Sequence, residues 1–198
     1  SEPNHSYTKE LIKSQTKKKI FSKSKSLPIL KVKNLKVWYP IKKGLLRKTI
    51  DHVKAIDDIS FNLYEKQTLG VVGESGSGKT SLVMALLKLI PSTGSITFNT
   101  KSLEKIDNKS MRFLRNKMQI VFQDPFSSLS PRMTIEQIVA EGLDIHEKFL
   151  SNEEKLEKIK NILEVVGLNF DKTRNRYPHE FSGGQRQRIS IARALILK

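Results

Sequence analysis

Residues 73–80, GESGSGKT, combine three glycines with a lysine and a hydroxyl side chain in the pattern G-x-x-x-x-G-K-[ST]. The glycines let backbone N–H groups turn inward, where side chains would block an approaching phosphate. Lys79 can reach the β- and γ-phosphates of a nucleotide, and the Thr80 hydroxyl can complete the coordination of Mg²⁺. This pattern, known as Walker A, therefore predicts a loop that binds the phosphates of a nucleotide.

The elements beside this loop are those that such a site requires. The apolar run at 69–72 predicts a strand before the loop, and the pattern from Lys79 onward predicts a helix whose positive dipole end attracts phosphate. Residues 118–122, MQIVF, predict a second buried strand that ends at Gln123. Because ligands bind at the carboxyl ends of parallel strands in open α/β sheets, Gln123 can face the nucleotide and its metal.

Two further strands are predicted upstream of the loop, an edge strand from residue 30 to residue 40 and a second strand at 53–63. A turn-rich, basic insert at 41–52 separates them. An aromatic ring just upstream of a phosphate loop can stack on a purine. Tyr39 is our first choice for this role and Trp38 the alternative; the other interpretation is that both rings cover a sheet edge.

Capping signals predict a small helical layer after the second buried strand. Thr134 with Gln137, and Ser151 with Glu154, both have the spacing of a capping box. Gly167 ends the second of these helices. A short strand and a short basic helix are predicted before this layer, at 95–98 and 110–117. All of these residues are interpreted as scaffold.

A second potential anion site lies in residues 177–198, YPHEFSGGQRQRISIARALILK. A glycine pair at 183–184 predicts a tight turn, and residues 185–197 have helical character. Ser182 and the glycine amides stand at the start of that helix, where backbone N–H groups attract anions. One phosphate loop and one separate helix-start site suggest a nucleotide sandwiched between two copies.

The composition limits the possible classes of protein. The chain has 198 residues, of which 37% are hydrophobic and 28% charged, which is ordinary for a soluble protein. It contains no cysteine, so neither disulfides nor thiolate metal sites contribute. The longest apolar stretch, 82–90, is too short to cross a bilayer, so any membrane role is expected to come through partners. No secretory signal pattern is present at the start, and secretion is not expected.

The formal net charge of +16 is concentrated near the start of the chain. Residues 1–36 hold ten lysines against two glutamates. We interpret residues 1–28 as a disordered, solvated tail. Attraction of this tail to an anionic membrane face is the alternative, at about 1 kcal/mol per basic residue. Nucleic-acid binding is a third possibility, but no aromatic-interleaved basic strand or recognition helix supports it.

The motifs resemble those of nucleotide-binding subunits of ABC transporters. GESGSGKT at 73–80, FQDP at 122–125, and FSGGQRQR followed by ARAL occur in the order and spacing of that family. FSGGQ resembles its LSGGQ signature, with Phe181 in place of leucine. LKVWYPIKKGLLRKT, VKAIDDISF and FQDPFSSLSPRMTI resemble ATP-binding subunits of oligopeptide and dipeptide permeases, especially the F type. The resemblance covers about residues 29–198.

This resemblance implies a fold and a set of site residues. The fold is an α/β P-loop NTPase core with an N-terminal antiparallel β part and a small helical subdomain at about 126–182. Tyr39 would stack on adenine, and Gln123 would contact the metal and the attacking water. The triphosphate would be wrapped by Gly73, Glu74, Ser75, Gly76, Ser77, Gly78, Lys79, Thr80 and Ser81. The γ-phosphate of an ATP held by the opposite subunit would be capped by Ser182, Gly183, Gly184 and Gln185. The cytoplasmic helices of transmembrane subunits would meet Asp124, Pro125, Phe126 and Arg132.

The function implied by the resemblance is an ATPase that energises import of oligopeptides or dipeptides at the cytoplasmic face of the membrane. Its cofactors would be ATP and Mg²⁺. Its partners would be a second homologous ATP-binding subunit, two transmembrane permease subunits and an extracytoplasmic peptide-binding protein, with no nucleic acid. Two alternatives stay open. One is a non-transport ABC ATPase that acts on nucleic acid or ribosomes, and the other is a non-catalytic regulator that pairs with a complete subunit.

One departure from the family pattern concerns the Walker B motif. In the family, an apolar strand that ends in Asp and the catalytic Glu follows shortly after the signature helix. The given sequence contains no Asp after Asp171 and no Glu after Glu180. We therefore expect a chain that is incomplete at its carboxyl end, has no catalytic base, binds nucleotide and hydrolyses it negligibly. Apolar surface at 71–72 and 120–121 is expected to lie uncovered, with poor solubility or marginal stability as a result.

Overall fold

The computed structural model describes residues 27–45 and 47–198, and of Ser127 it describes the backbone alone. The predicted tail therefore lies almost wholly outside the described residues. The described part contains two hydrophobic cores. One lies under an antiparallel sheet that also carries the phosphate loop and its helix, and the other lies within a layer of helices.

The sheet has four strands in the order β2-β1-β3-β4, and every pair is antiparallel. Its strands are β1 (Leu30–Lys43), β2 (Lys48–Leu63), β3 (Thr93–Phe98) and β4 (Lys101–Ser102). Leu30 and Val32, and after a register shift Leu35 and Val37, are buried, so alternate residues on each side of the shift face the core. The prediction that β1 is an edge strand was wrong, because β3 pairs with the side of β1 that β2 leaves free.

The predicted turn-rich insert at 41–52 is largely a continuation of the two strands. Residues of the insert pair across the hairpin, with Ile41 opposite Asp51 and Lys43 opposite Lys48. The chain turns near Gly44, whose φ of 78° lies in the left-handed region that glycine adopts without strain. The prediction overestimated the turn because the β-branched side chains on both sides of it favour extended backbone.

Helix α1 (Lys79–Leu86) begins behind the phosphate loop, and its residues Leu82 and Ala85 are buried in the core of the sheet. Helix α2 (Asn108–Arg115) packs on the same core through Leu114 and is capped by the carboxylate of Asp107, which accepts from two backbone N–H groups. The predictions of both helices are confirmed. The prediction of α2 placed its start two residues too late, because the capping role of Asp107 was not anticipated.

The two strands predicted at 69–72 and 118–122 are not formed in the structure. A parallel strand takes its hydrogen bonds from neighbouring strands, and within residues 27–45 and 47–198 no segment pairs with either one. The side chains of Val71, Val72 and Val121 are 49%, 94% and 43% exposed. The expected uncovered apolar surface at these positions is thus confirmed.

The helical layer is built from five helices and one 3₁₀ turn: α3 (Pro125–Ser128), α4 (Ile135–His146), α5 (Asn152–Val165), α6 (Phe170–Thr173), the turn Pro178–Glu180, and α7 (Gly183–Leu195). Both predicted capping boxes, at Thr134 and at Ser151, are confirmed. The core of this layer reaches from Leu129 to Ile196 and therefore includes α7. In the described part of the chain, no helix has the length and apolar character needed to cross a bilayer.

Candidate functional site

The ammonium group of Lys79 is held over the phosphate loop. It donates hydrogen bonds to the carbonyl oxygens of Gly73 at 2.8 Å and Glu74 at 2.6 Å, and it lies 3.3 Å from the Ser77 hydroxyl oxygen. Among the residues that the structure describes, no carboxylate forms an ion pair with Lys79. Its positive charge is therefore positioned by neutral backbone groups and remains available to an anionic ligand.

Two glycines of the loop have the left-handed backbone that this type of loop requires, Gly76 with φ 82° and Gly78 with φ 90°. A Cβ atom at Gly78 would lie 2.2 Å from the carbonyl oxygen of Ala55 on β2, so only glycine allows this close approach to the sheet. A Cβ atom at Gly76 would meet no atom within 4 Å. The loop thus packs closely against the sheet at Gly78 and is open to solvent at Gly76.

The start of α1 offers free hydrogen-bond donors beside this opening. Gly78 is the N-cap residue and provides no side-chain hydrogen bond, so the first-turn N–H groups of the helix are left for a ligand. Thr80 is exposed and Ser81 is half-buried in this turn. The donors and the lysine suit a triphosphate. The described residues contain no cluster of three or more His, Cys, Asp or Glu side chains, so Mg²⁺ would need phosphate oxygens together with the Thr80 hydroxyl.

The two candidate aromatic residues have different surroundings. The hydroxyl of Tyr39 lies 3.3 Å from the hydroxyl oxygen of Ser81 on α1, and its side chain is 41% exposed. The Trp38 ring instead contacts the ammonium group of Lys54, 4.7 Å from its centroid, and its Nε1 donates to Asp57 at 3.3 Å. Because neighbouring residues of a strand face opposite ways, Tyr39 is the ring beside the phosphate loop.

The structure does not bring Gln123 or the signature residues into hydrogen-bond contact with this loop in the part of the chain that it describes. Gln123 is exposed and lies directly before Asp124, whose carboxylate accepts from the N–H of Phe126 at 2.9 Å and caps α3. Gln123 thus lies at the entry of the helical layer. The exposed Arg132 lies in the same layer, before α4.

Ser182 is the N-cap residue of α7 in a complete capping box. Its hydroxyl accepts from the N–H of Gln185 at 3.3 Å, and its own N–H donates to the side-chain oxygen of Gln185 at 3.0 Å. Cβ atoms at Gly183 and Gly184 would meet no atom within 4 Å. The first turn of α7 therefore presents its backbone to open space.

The carboxylate of Glu180 fixes the turn that precedes Ser182. It accepts from the N–H of Tyr177 at 2.6 Å and from the Arg176 guanidinium at 3.2 Å. The hydrogen bond from Tyr177 is the main cause that holds the pKa of Glu180 below its usual range, and Arg176 lowers it further. The charged form of Glu180 is therefore part of the folded turn.

Sequence reasoning assigned no role to Arg186, which is almost fully buried. Its guanidinium donates to the carbonyl oxygens of Pro178 at 2.7 Å and His179 at 3.2 Å, and its central carbon lies 3.7 Å from the centroid of the Phe126 ring. Arg186 thereby joins the turn before the signature to α3. Arg186 precedes the buried Ile189 by three residues, so both lie on one face of α7. This helical periodicity was the sequence signal that Arg186 faces the core.

A second arginine of α7 makes a similar connection. Arg193 donates to the carbonyl oxygen of Ser128 at 2.8 Å and forms an ion pair with Glu141 of α4 at 2.9 Å. Helix α7 therefore contacts α3 at two points that are about two helical turns apart. The segment that begins at Gln123 is anchored to the same helix that carries the signature residues.

Comparison with known proteins identifies the family of this chain. The family described as "ABC transporter" matches residues 56–198, and the chain belongs to that family. It is 51% identical over 199 residues to the peptidoglycan transport ATP-binding protein YejF of Agrobacterium fabrum, covering 100% of the chain and 36% of that protein. It is 47% identical over 170 residues to the oligopeptide transport ATP-binding protein OppF of Bacillus subtilis, covering 84% of the chain and 53% of that protein.

The fold is similar to that of a solved cassette. The dimeric structure of MJ0796, a bacterial ABC transporter cassette, has a TM-score of 0.72 and 26% identity over 84% of this chain and 69% of the other. A dimeric post-hydrolysis state of that cassette, bound to ADP and phosphate, has a TM-score of 0.70 and 27% identity, with the same coverage. The chain spans about a third to a half of the length of the two curated relatives described above.

Proposed function

We propose that this chain forms the nucleotide-binding part of an ATPase subunit that energises import of oligopeptides or dipeptides across the cytoplasmic membrane. The observation that carries the proposal is the loop of residues 73–80, where Lys79 is held without a carboxylate partner in the described residues and Tyr39 lies alongside α1. This arrangement supports binding of a nucleoside triphosphate.

Different residues would bind the phosphates, the adenine ring and the metal of the nucleotide. Backbone N–H groups of Gly76, Gly78 and the first turn of α1 would donate to phosphate oxygens, and Lys79 would contact the β- and γ-phosphates. Tyr39 would stack on the adenine ring. Mg²⁺ would be held by Thr80 and Gln123 together with phosphate oxygens, and it would neutralise charge on the transferred phosphoryl group.

The outward-facing signature turn supports a second contact with nucleotide. Gly183 and Gly184 face open space beside the Ser182–Gln185 capping box in the single chain, as expected if the ligand of this turn is an ATP bound to a second ATP-binding subunit. The two subunits would close on two ATP molecules and open after hydrolysis. Closure stabilises one state of the transporter only through interactions that the open state lacks.

The proposed substrate class depends on the relatives. Their names specify transport of peptidoglycan or oligopeptides, and both cargoes contain amide-linked amino acids. The proposed assembly contains a second ATP-binding subunit, two transmembrane permease subunits and an extracytoplasmic peptide-binding protein. The subunit itself would lie peripherally at the cytoplasmic face of the membrane.

We also propose that the 198-residue polypeptide, when purified alone, binds nucleotide but turns it over slowly. The sequence holds no carboxylate side chain after Glu180, so no candidate base follows the signature helix in these residues. Loss of a general base commonly lowers a rate by about 10²- to 10⁴-fold.

The test of the proposed function uses the native protein that contains this chain. Uptake of a radiolabelled tripeptide should be lost in cells that carry Lys79→Ala, because the loop then cannot hold the triphosphate. Cells with Lys117→Ala, the same change of charge at an exposed lysine outside the site, should take up the peptide normally. Normal tripeptide uptake by the Lys79→Ala cells would contradict the proposal.

A further inference from the structure

The far end of the β1–β2 hairpin extends beyond the core of the sheet. We call residues 38–45 and 47–54 the distal hairpin. None of the strand residues in these two ranges is buried, whereas Val37 and Ile56, just inside them, are 1% and 3% exposed. Because a two-stranded ribbon is marginally stable alone in water, such a projection gains from a surface on which to lie.

The distal hairpin exposes apolar side chains along most of its length. The strand register places Trp38 on one face of the ribbon and Ile41 and Val53 on the other, so these residues form no continuous protein-binding groove and suit a surface that accepts each side chain separately. Ring and aliphatic side chains of this kind partition into the interface of a bilayer. Besides Tyr39, which lies beside the phosphate loop, the exposed members are Trp38, Ile41, Leu45, Ile50 and Val53, with 40%, 40%, 101%, 58% and 55% of their surface accessible.

Basic side chains cluster on both sides of the turn, between these apolar residues. Within the described part of the chain, Lys42, Lys43, Arg47 and Lys48 form no ion pair. The one acidic residue of the distal hairpin, Asp51, accepts a hydrogen bond from the backbone N–H of His52. The positive charge at the turn is therefore uncompensated, and it matches an anionic surface.

We propose that the distal hairpin binds the headgroup region of an anionic phospholipid bilayer. Long lysine and arginine stems let their charges reach lipid phosphates while neighbouring apolar side chains enter the interface. Isolated apolar side chains on both faces of a ribbon, with a basic cluster at its turn, favour lipid over an acidic protein, which would need a shaped apolar surface to match. The inference builds on the proposed peripheral location, but it requires neither bound nucleotide nor catalysis.

Trp38 provides a specific readout because it is the only tryptophan of the chain. The full chain without nucleotide is mixed with vesicles of phosphatidylglycerol and phosphatidylcholine or of phosphatidylcholine alone. We expect the Trp38 emission to shift to the blue, and to be quenched by brominated acyl chains, only with the anionic vesicles. Since the basic segment before residue 27 can also attract vesicles, sedimentation alone does not test the hairpin.

A matched pair of variants separates local from general electrostatics. Each basic residue near the membrane contributes about fivefold to affinity, so Lys42→Glu with Lys43→Glu should weaken binding by about 20-fold or more. Lys148→Glu with Lys172→Glu changes the same charge at exposed sites in the helical layer, and it should have a much smaller effect.

Three outcomes would overturn the inference. They are sedimentation with vesicles without a change in Trp38 emission, equal weakening by the two variant pairs, and an emission change with single-stranded RNA but not with vesicles. ATP binding is measured for the same samples. If ATP binding is retained but the Trp38 emission does not change with vesicles, only the lipid inference is contradicted. If the emission changes but ATP does not bind, the lipid inference is supported and the proposed function is contradicted.

Discussion

The guanidinium carbon of Arg186 lies 3.7 Å from the centroid of the Phe126 ring, while the same guanidinium donates to two backbone carbonyls of the turn before the signature. Phe126 follows Gln123 by three residues, and Ser182 precedes Arg186 by four. One side chain therefore connects the segment proposed to contact the metal with the turn proposed to contact a second ATP. We therefore expect a displacement of either segment to disturb the packing of Arg186.

Replacement of Arg186 by alanine should destabilise the chain substantially. It removes a buried charged donor from two carbonyls and removes a cation–π contact, so we expect the free energy of unfolding to fall by about 2 to 4 kcal/mol. Arg188→Ala serves as the control, because Arg188 makes one long contact of 3.4 Å with Gly167 and should cost less than about 1 kcal/mol. Urea denaturation followed by circular dichroism measures both variants, and equal stability losses would contradict the special role of Arg186.

Gly78 and Gly184 should respond differently to alanine. A Cβ atom at Gly78 would collide with the Ala55 carbonyl at a backbone φ of 90°, so Gly78→Ala should displace the loop and abolish nucleotide binding. A Cβ atom at Gly184 meets open space on a helix, so Gly184→Ala should leave stability unchanged or raise it by up to about 1 kcal/mol. Thermal unfolding and titration with a fluorescent ATP analogue test this pair. Undisturbed ATP binding by Gly78→Ala would show that the loop geometry is wrong.

The turn before the signature should lose stability in acid. The folded-state pKa of Glu180 lies below its usual value of 4.5, so its contribution is fully present above that value and is lost as pH falls through the lower, folded-state pKa. Glu180→Gln keeps an acceptor for the Tyr177 N–H but cannot titrate. Between about pH 5 and pH 3, the free energy of unfolding should therefore fall more steeply for the wild type than for the variant. Parallel pH dependences would mean that Glu180 is not charged in the folded turn.

Features encoded within a few residues could be predicted from the sequence. The spacing of glycines, lysine and threonine predicts the loop at 73–80, and the capping boxes at Thr134 and Ser151 predict the starts of two helices. In each of these cases the hydrogen bonds join residues only a few positions apart. The local sequence therefore carries most of the information that these features need.

Features that depend on distant neighbours could not be predicted in the same way. The segments at 69–72 and 118–122 have the composition of buried strands, but they remain unpaired because strand formation needs a partner strand. The position of β1 inside the sheet depends on its pairing with β3, which lies about fifty residues further along the chain. The packing of Arg186 on Phe126 depends on a contact across sixty positions of sequence.

The most direct measurement of the central claim is equilibrium binding of a fluorescent ATP analogue, with Mg²⁺, to the purified 198-residue chain and two variants. We predict saturable binding by the wild type and about 100-fold weaker binding by Lys79→Ala, because charge-assisted contacts to phosphate are worth about 1.5 to 3 kcal/mol each. Lys117→Ala should bind like the wild type, and circular dichroism checks that all three are folded. Equal affinity of the wild type and Lys79→Ala would contradict the assignment of residues 73–80 as the nucleotide site.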